Sequence, residues 1–132
     1  MAPRVQADFE EVVRSAIGIE GIHSAAVFLL PDRSSALTLA AAAGIEGPPL
    51  DRLAEAVKNP DHPISRTIVD EAATFDAIPT APGGPALRSH LPIFAVRDGR
   101  RSAVGALAVA HDDRLDPEAR ASLEQLAGKA AG

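Results

Sequence analysis

The segment that says most about the fold is residues 87–113, which read LRSHLPIFAVRDGRRSAVGALAVAHDD. It holds two apolar runs, residues 87–96 and 102–111, on either side of a polar stretch that contains Asp98 and Gly99. An Asp-Gly pair between two such runs favours a tight hairpin turn, because both residues tolerate positive φ angles. Pro92 weakens the centre of the first run, since proline has no N–H to donate to a neighbouring strand. We therefore expect an antiparallel β-hairpin.

The first part of the chain predicts a helix and a second hairpin. A helical pattern begins at Asp8, and its apolar face consists of Phe9, Val12, Val13, Ala16 and Ile17. Apolar or small residues then fill residues 22–30 and 36–43, and turn-forming residues 31–35 separate these runs. Two strand-like runs around a turn of this kind are typical of paired antiparallel strands.

The middle and the end of the chain favour short helices. One helical pattern covers residues 50–57, and a second begins after His62 with a proline in its first turn. Residues 74–78 predict a short edge strand, and residues 79–85, rich in Pro and Gly, an exposed mobile loop. A last helix is capped by Asp116 and presents the apolar residues Leu123, Leu126, Ala127 and Ala130.

The order of these elements indicates the fold class. Strands joined by hairpins pair antiparallel, and both faces of a sheet need to be covered by other elements. We expect one α+β domain over residues 1–132, with a central antiparallel sheet of five or six strands and helices on both faces. A single core fits the length, since domains commonly hold about 100 to 150 residues.

Composition excludes several classes of function. The absence of cysteine excludes disulfides, thiolate nucleophiles and thioether-attached cofactors. A net charge of −5, with no Trp or Tyr and only four Phe, gives neither the positive field nor the stacking surface of a nucleic-acid binder. No apolar run approaches the roughly 20 residues of a membrane span. We expect a cytoplasmic protein with no direct nucleic-acid partner and no membrane partner.

Taken together, these features resemble a GAF domain, a small-molecule sensor module related in architecture to PAS domains. The resemblance covers nearly the whole chain and rests mainly on residues 87–113 and on LDPEARASLEQLAGKAA from Leu115. In that family, a strand rich in Ser, Leu and Pro leads through a polar hairpin to a strand with Gly-Xaa-Leu, an acidic loop and a helix. LTLAAAAGIEG from Leu37 and HPISRTIVDEA from His62 add to the resemblance.

The resemblance implies a sheet with the N- and C-terminal helices on one face. On the other face it implies a ligand pocket, closed by the short middle helices and a loop. The residues of this chain that it places at the pocket are His62, Ile64, Ile68, Phe75, Ile78, Arg88 and His90. Family members that bind bilin through a GAF cysteine need a thiol and are excluded, as are the free-methionine-sulfoxide reductases of this fold. The Asn-Lys, Phe and Asp-Glu constellation of cyclic-nucleotide binders is absent. Haem-binding members use a pocket histidine, but nothing else here supports haem, and we expect no cofactor.

Arg88 and His90 are the candidate polar residues of the pocket. They lie two apart on a predicted strand and so project from one face, whereas the apolar residues between and after them face the terminal helices. Arg88 would then offer a fork of donors to a carboxylate or phosphate, and the helix start at His62 would favour the same anions. The structural alternatives are that His62 only caps its helix and that Arg88 forms a surface ion pair.

No catalytic or metal-binding constellation is visible in the sequence. The four histidines are dispersed, and His111, although followed by Asp112 and Asp113, has no nucleophile near it in the chain. We expect a non-enzymatic regulatory domain of signal transduction that senses an unidentified small molecule of anionic character, with residues 79–85 ordering over it.

The alternative is a ligand-free dimerisation or docking module with a collapsed pocket, which the 27 alanines favour because small residues allow close packing. We also expect a homodimer through the helices of Phe9 and Leu123, and a partner signalling protein is a further candidate.

Overall fold

The structure is a computed structural model, and it describes residues 9–30, 37–78, 87–97 and 99–130. Its elements, in chain order, are α1 (Phe9–Ile17), β1 (Ile22–Leu29), β2 (Thr38–Ala43), α2 (Pro48–Ala56), α3 (Pro63–Asp70), β3 (Thr74–Ala77), β4 (Leu87–Arg97), β5 (Arg100–His111) and α4 (Pro117–Ala130). This is the order of elements that the sequence predicts. The expected turn at residues 31–35 and the expected loop at residues 79–85 lie outside the described residues.

The five strands form one sheet in the order β2-β1-β5-β4-β3, and every neighbouring pair is antiparallel. The predicted α+β class and the central antiparallel sheet are therefore confirmed. The long hairpin of β4 and β5 lies near the middle of the sheet, and β3 adds a short outer strand beside the first part of β4.

The sheet separates two apolar cores. The larger core lies between the sheet and the terminal helices, and includes Val13 of α1, Leu107 of β5 and Leu123 of α4. The smaller core lies on the opposite face, where Ile64 and Ile68 of α3 pack against the sheet. The terminal helices and the middle helices thus cover opposite faces, as the resemblance implies.

Strand β4 continues through Pro92, which pairs with Ala106 of β5. Within sheets, proline occurs mainly in edge strands and at bulges. In the described part of the sheet, Pro92 lies close to both an unpaired strand edge and a bulge. The pairing of β3 with β4 extends only from Arg88 to His90, so the following part of β4 has a free edge among the described residues. A register shift after Ile93 then interrupts the ladder with β5.

Helix α2 begins at Pro48, two residues earlier than the sequence predicts, and both Pro48 and Pro49 lie in its first turn. Proline fits there because the first N–H groups of a helix have no partner within it. Helix α2 has no fully buried residue, although Leu53 packs against the smaller core. No helix in the described part of the chain is long and apolar enough to cross a membrane.

Candidate functional site

Three of the predicted polar residues meet on the α3 face of the sheet. His90 lies directly opposite Ala108 of β5, which belongs to the smaller core, so both side chains point toward α3. Arg88 lies two residues earlier on β4 and shares that face. His62 stands at the start of α3, and its protonated form, like Arg88, disfavours a positive charge on His90. We call His62, Arg88 and His90 the basic cluster.

Helix α3 is held in place at both ends. The buried hydroxyl of Ser65 donates a 2.7 Å hydrogen bond to the carbonyl of Val57, which ties the first turn of α3 to the end of α2. At the other end Glu71 adopts a left-handed conformation with φ of 53°, and its carboxylate accepts the N–H of Ala103 on β5 at 2.8 Å. These two contacts fix α3, and with it His62, relative to α2 and the sheet.

His62 caps α3. Its Nδ1 accepts the backbone N–H of Ile64 at 3.1 Å, and Pro63 occupies the first helical position. The structure thus bears out the capping role that the sequence left open as the simpler alternative. Because Nδ1 is an acceptor, the neutral ring carries its hydrogen on Nε2, which leaves that N–H available as a donor. Burial lowers the pKa of His62, which favours this neutral form.

His90 is almost completely buried, with 4% of its surface exposed. Its Nδ1 is buried and has no hydrogen-bond partner within the described residues. Burial lowers the pKa of His90 to about 4, and the charges of His62, Arg88 and His111 add to this shift. At neutral pH the ring is therefore uncharged, with a nitrogen that lacks a partner.

Arg88 is partly buried beside His90. Its Nη1 donates to the carbonyl of Leu87 at 3.2 Å, and burial lowers the pKa of its guanidinium. A guanidinium with a lowered pKa remains charged at physiological pH, since its ordinary pKa lies far above that range. The basic cluster therefore contains one permanent positive charge and two imidazoles.

The apolar residues predicted at the pocket fall in three different places. Ile64 and Ile68 are buried in the smaller core and contact its other members, so their side chains are already covered. Phe75 packs instead against the larger core on the terminal-helix face, which contradicts its expected position on the α3 side. Ile78 is 81% exposed at the end of a described segment.

A second polar arrangement, which the sequence did not reveal, lies on the terminal-helix side of the sheet. The hydroxyl of Ser89 lies 2.8 Å from Nε2 of His111, and Nδ1 of His111 lies 2.7 Å from the carbonyl oxygen of Asp113. A carbonyl can only accept, so Nδ1 carries a hydrogen, and in the neutral ring Nε2 then accepts from the hydroxyl of Ser89. Ser89 in turn accepts the backbone N–H of Asp76 at 3.0 Å. Ser89 and His111 are both fully buried.

Asp76 extends this arrangement to α4. Its Oδ1 accepts the N–H of Leu115 at 3.0 Å, and its Oδ2 accepts from Nη2 of Arg120 at 2.6 Å. Burial alone raises the pKa of Asp76, but the Leu115 N–H, the Arg120 guanidinium and the charge of His111 outweigh it and lower the pKa below its ordinary value. Asp76 has φ of 60°, a conformation that Asp adopts more readily than most residues. We call Asp76, Ser89, His111 and Arg120 the edge network.

The contact between Ser89 and His111 has the geometry of a serine nucleophile and its base, but its surroundings differ from those of a catalytic site. Both side chains are inaccessible, and the hydroxyl oxygen is engaged by the Asp76 N–H. His111 is oriented by a backbone carbonyl and not by the carboxylate of Asp112 or Asp113. The arrangement therefore acts as a structural connection between β3, β4, β5 and α4.

Metal ligation is not supported by the described residues, among which no three His, Asp or Glu side chains lie close enough to hold an ion. The exposed pair of His23 and Asp112, joined at 2.7 Å, brings only two such groups together. An open groove of about 320 Å³ lies at the free edge of β4, but none of the predicted ligand-binding residues lines it. It combines the carboxylates of Glu71 and Glu124 with Arg101, whose guanidinium lies 3.9 Å from the centre of the Phe94 ring.

The chain is similar to known proteins in structure. No family model matches the sequence, and a search of curated proteins finds no relative. The GAF domain of a phosphoenolpyruvate-protein phosphotransferase from Coxiella burnetii superposes with a TM-score of 0.71 at 17% identity, over 96% of this chain and 80% of that one. The chain has the GAF fold. A GAF domain/HD domain protein from Geobacter sulfurreducens gives a TM-score of 0.64 at 14% identity, over 98% and 92% of the two chains.

The GAF fold is compatible with more than one kind of function. Several of the similar structures are GAF domains. A type II free methionine-R-sulfoxide reductase from Thermoplasma acidophilum has the same fold, with a TM-score of 0.60 at 13% identity, over 91% of this chain and 87% of that one. The fold by itself therefore does not separate a sensor from an enzyme, and the residues of this chain have to do so.

Proposed function

We propose that this GAF domain is a non-enzymatic regulatory module that binds a small anion at the basic cluster. The observation that carries the proposal is the buried Nδ1 of His90, which has no partner in the described part of the chain. A buried polar atom left unpaired costs about 1–3 kcal/mol, so native proteins usually supply it with a partner. An anion with several acceptor oxygens would supply one for His90.

The charges around His90 favour an anion over a neutral ligand. Arg88 contributes a permanent positive charge and His62 an Nε2–H donor, and the N-terminus of α3 adds a partial positive charge. The chain as a whole carries a net charge of −5, so the basic cluster differs in sign from the rest of the protein. Small oxyanions such as nitrate or sulfate match the donors and the partly buried position.

A second candidate function, docking without a ligand, is favoured by the packing of the smaller core. Phe28, Ile64 and Ala106 are almost completely buried there, and the alanines let α3 approach the sheet closely. Under this alternative the domain would bind a signalling partner or a second copy. Phe9 and Leu123, the residues on which the expected homodimer rests, pack against or within the larger core, so a dimer would have to use the outer surfaces of α1 and α4.

Thermal unfolding with nitrate, sulfate and small carboxylates tests the first candidate. Binding to the folded state at 100 times the dissociation constant adds about 2.7 kcal/mol of stability, which raises the melting temperature measurably. Arg88→Gln removes a charged hydrogen bond worth about 1.5–3 kcal/mol and should weaken binding about 10-fold to 100-fold. Arg52→Gln, at an exposed position of α2, is the matched control for the change in net charge.

Two results would exclude anion binding at the basic cluster. One is that none of these anions raises the melting temperature. The other is that Arg88→Gln and Arg52→Gln change the affinity equally, which would indicate a diffuse electrostatic effect. Light scattering after gel filtration then tests the second candidate, since a dimer whose melting temperature no anion changes would favour docking.

A further inference from the structure

We propose that anion binding at the basic cluster is coupled to the uptake of one proton by His90. This inference rests on the proposed function and concerns the regulation of the same site. It would make the domain respond to pH and anion concentration together, because each would change the apparent affinity for the other.

Among the described residues, the charged and titratable groups that act on His90 are all basic. Arg88 lies on the same strand, His62 approaches from α3, and His111 acts through the sheet from the opposite face, at the end of β5. Thr74 of β3 and Ala108 of β5, the direct neighbours of His90 in the sheet, carry no charge. No carboxylate pairs with His90 among the described residues. A second positive charge beside Arg88 is therefore unfavourable in the empty site, in agreement with the lowered pKa of His90.

His62 is unsuited to take up the proton. Its Nδ1 already accepts the N–H of Ile64, and a proton on that nitrogen would break the cap of α3. His90 has the opposite arrangement, because its Nδ1 is buried without a partner and gains one only if an acceptor enters the site. The proton therefore goes to His90, where it forms a charge-assisted hydrogen bond to the bound anion.

The sign of the effect follows from this geometry. An anion offsets the charge of Arg88 and accepts from the imidazolium, so it raises the pKa of His90 in the complex above its value in the empty site. The affinity for the anion then increases as the pH falls from the pKa of His90 in the complex toward its pKa in the empty site. The increase is at most tenfold per pH unit. If the bound His90 returns to an ordinary pKa of roughly 6.5, affinity rises about 30-fold between pH 8 and pH 5.

Isothermal titration with nitrate, at constant ionic strength between pH 5 and pH 8.5, measures this dependence. Nitrate keeps one negative charge throughout that range, so any pH dependence belongs to the protein. Repeating the titration near pH 6 in buffers with different ionisation enthalpies counts the protons taken up, and we expect a value between 0.5 and 1, roughly half to full protonation for a pKa near 6.5. This count uses the unmodified protein and does not depend on the folding of any variant.

Two variants assign the proton to His90. His90→Asn places an amide near the position of Nδ1 that donates without titrating, so nitrate should still bind, with an affinity that no longer changes with pH. His23→Asn removes an exposed histidine elsewhere and should leave the pH dependence unchanged. His90→Gln provides a second non-titrating amide if the Asn variant is unstable.

The outcomes separate this inference from the proposed function. If Arg88→Gln weakens nitrate binding but binding takes up no proton and does not depend on pH, the coupling is overturned and the anion site remains supported. Proton uptake that persists in His90→Asn assigns the proton to another group and also overturns it. Absence of binding by nitrate and sulfate at every pH overturns the anion site and the coupling together.

Discussion

Asp76 is the residue of the edge network whose removal should affect stability most clearly. Its side chain is 9% exposed and accepts hydrogen bonds from the N–H of Leu115 and the guanidinium of Arg120, which lie about 40 residues further along the chain. Asp76→Asn retains an oxygen for the N–H of Leu115 and tolerates φ of 60°, but it loses the charge opposite Arg120. Asp76→Ala loses both contacts and places Ala in an unfavourable conformation. The pair of variants thus separates the ion pair from the remaining contributions.

The expected magnitudes follow from the exposure of the two partners. Losing one partner of a buried ion pair costs about 3–5 kcal/mol, and an exposed pair contributes less than about 1 kcal/mol. The Arg120 side chain is 42% exposed, so water can replace part of the interaction that it loses with Asp76. We therefore expect Asp76→Asn to lower the free energy of unfolding by about 1.5 kcal/mol. Asp76→Ala leaves the Leu115 N–H unpaired as well and should cost about 3 kcal/mol. The control Asp112→Asn disrupts an exposed pair at a similar distance and should cost less than about 0.5 kcal/mol.

Urea denaturation followed by far-UV circular dichroism measures these differences in the free energy of unfolding. Because folding lowers the pKa of Asp76, its contribution is present above the unfolded pKa of 3.8 and is lost as the pH falls through the folded value. The difference between wild type and Asp76→Asn should therefore be constant from pH 7 to about pH 5 and shrink under more acidic conditions. Equal stability of Asp76→Asn and wild type at pH 7, or a difference that grows in acid, would refute the reasoning.

Three further perturbations test the packing and capping. Ser89→Ala leaves His111 Nε2 and the Asp76 N–H without their partner and should lower the free energy of unfolding by about 2–4 kcal/mol, whereas Ser15→Ala on the exposed face of α1 should have little effect in the same urea titration. Gly105→Ala places a Cβ 2.4 Å from the carbonyl oxygen of Phe28 and should cost about 3 kcal/mol; Gly128→Ala, with open space around it in α4, should gain up to about 1 kcal/mol, and equal melting temperatures would contradict the steric argument. His62→Ala removes the cap of α3 and should cost about 1 kcal/mol, which His62→Asn should largely restore.

The sequence predicts the order of elements well because each is marked by a local signal. Helical spacing marks α1 and α4, and the Asp-Gly pair marks the turn between β4 and β5. Positions where one contact overrides local preference are harder to predict. The strand passes through Pro92 because β3 ends beside it, and α2 begins at Pro48 because proline suits a first turn. The Pro92 result depends on where the neighbouring strand ends, which a single sequence does not state, whereas the start of α2 follows from a local preference of proline that the helical spacing alone does not show.

The candidate site is predictable only in part, for a related reason. Strand alternation correctly gives the face on which Arg88 and His90 lie, since a period of two needs no knowledge of the neighbouring strand. The same rule does not give the partner of Ser89, because that depends on the register between β4 and β5. His111 lies opposite Leu87 and so reaches Ser89 diagonally. Phe75 was expected at the pocket but packs on the other face, because its strand is too short to define a pattern.

The two polar arrangements are connected through β4, where Ser89 and His90 are adjacent and point to opposite faces. The Ser89 side has its hydrogen bonds satisfied, and a satisfied buried network holds its elements rigidly. That rigidity keeps His90 in position although its own Nδ1 has no partner in the described residues. A site fixed before its ligand arrives loses less entropy on binding. Ser89→Ala, although remote from the anion, is therefore expected to weaken nitrate binding as well as folding at a temperature where the variant is still folded. Unchanged nitrate affinity in that variant would show that α3 alone positions His90.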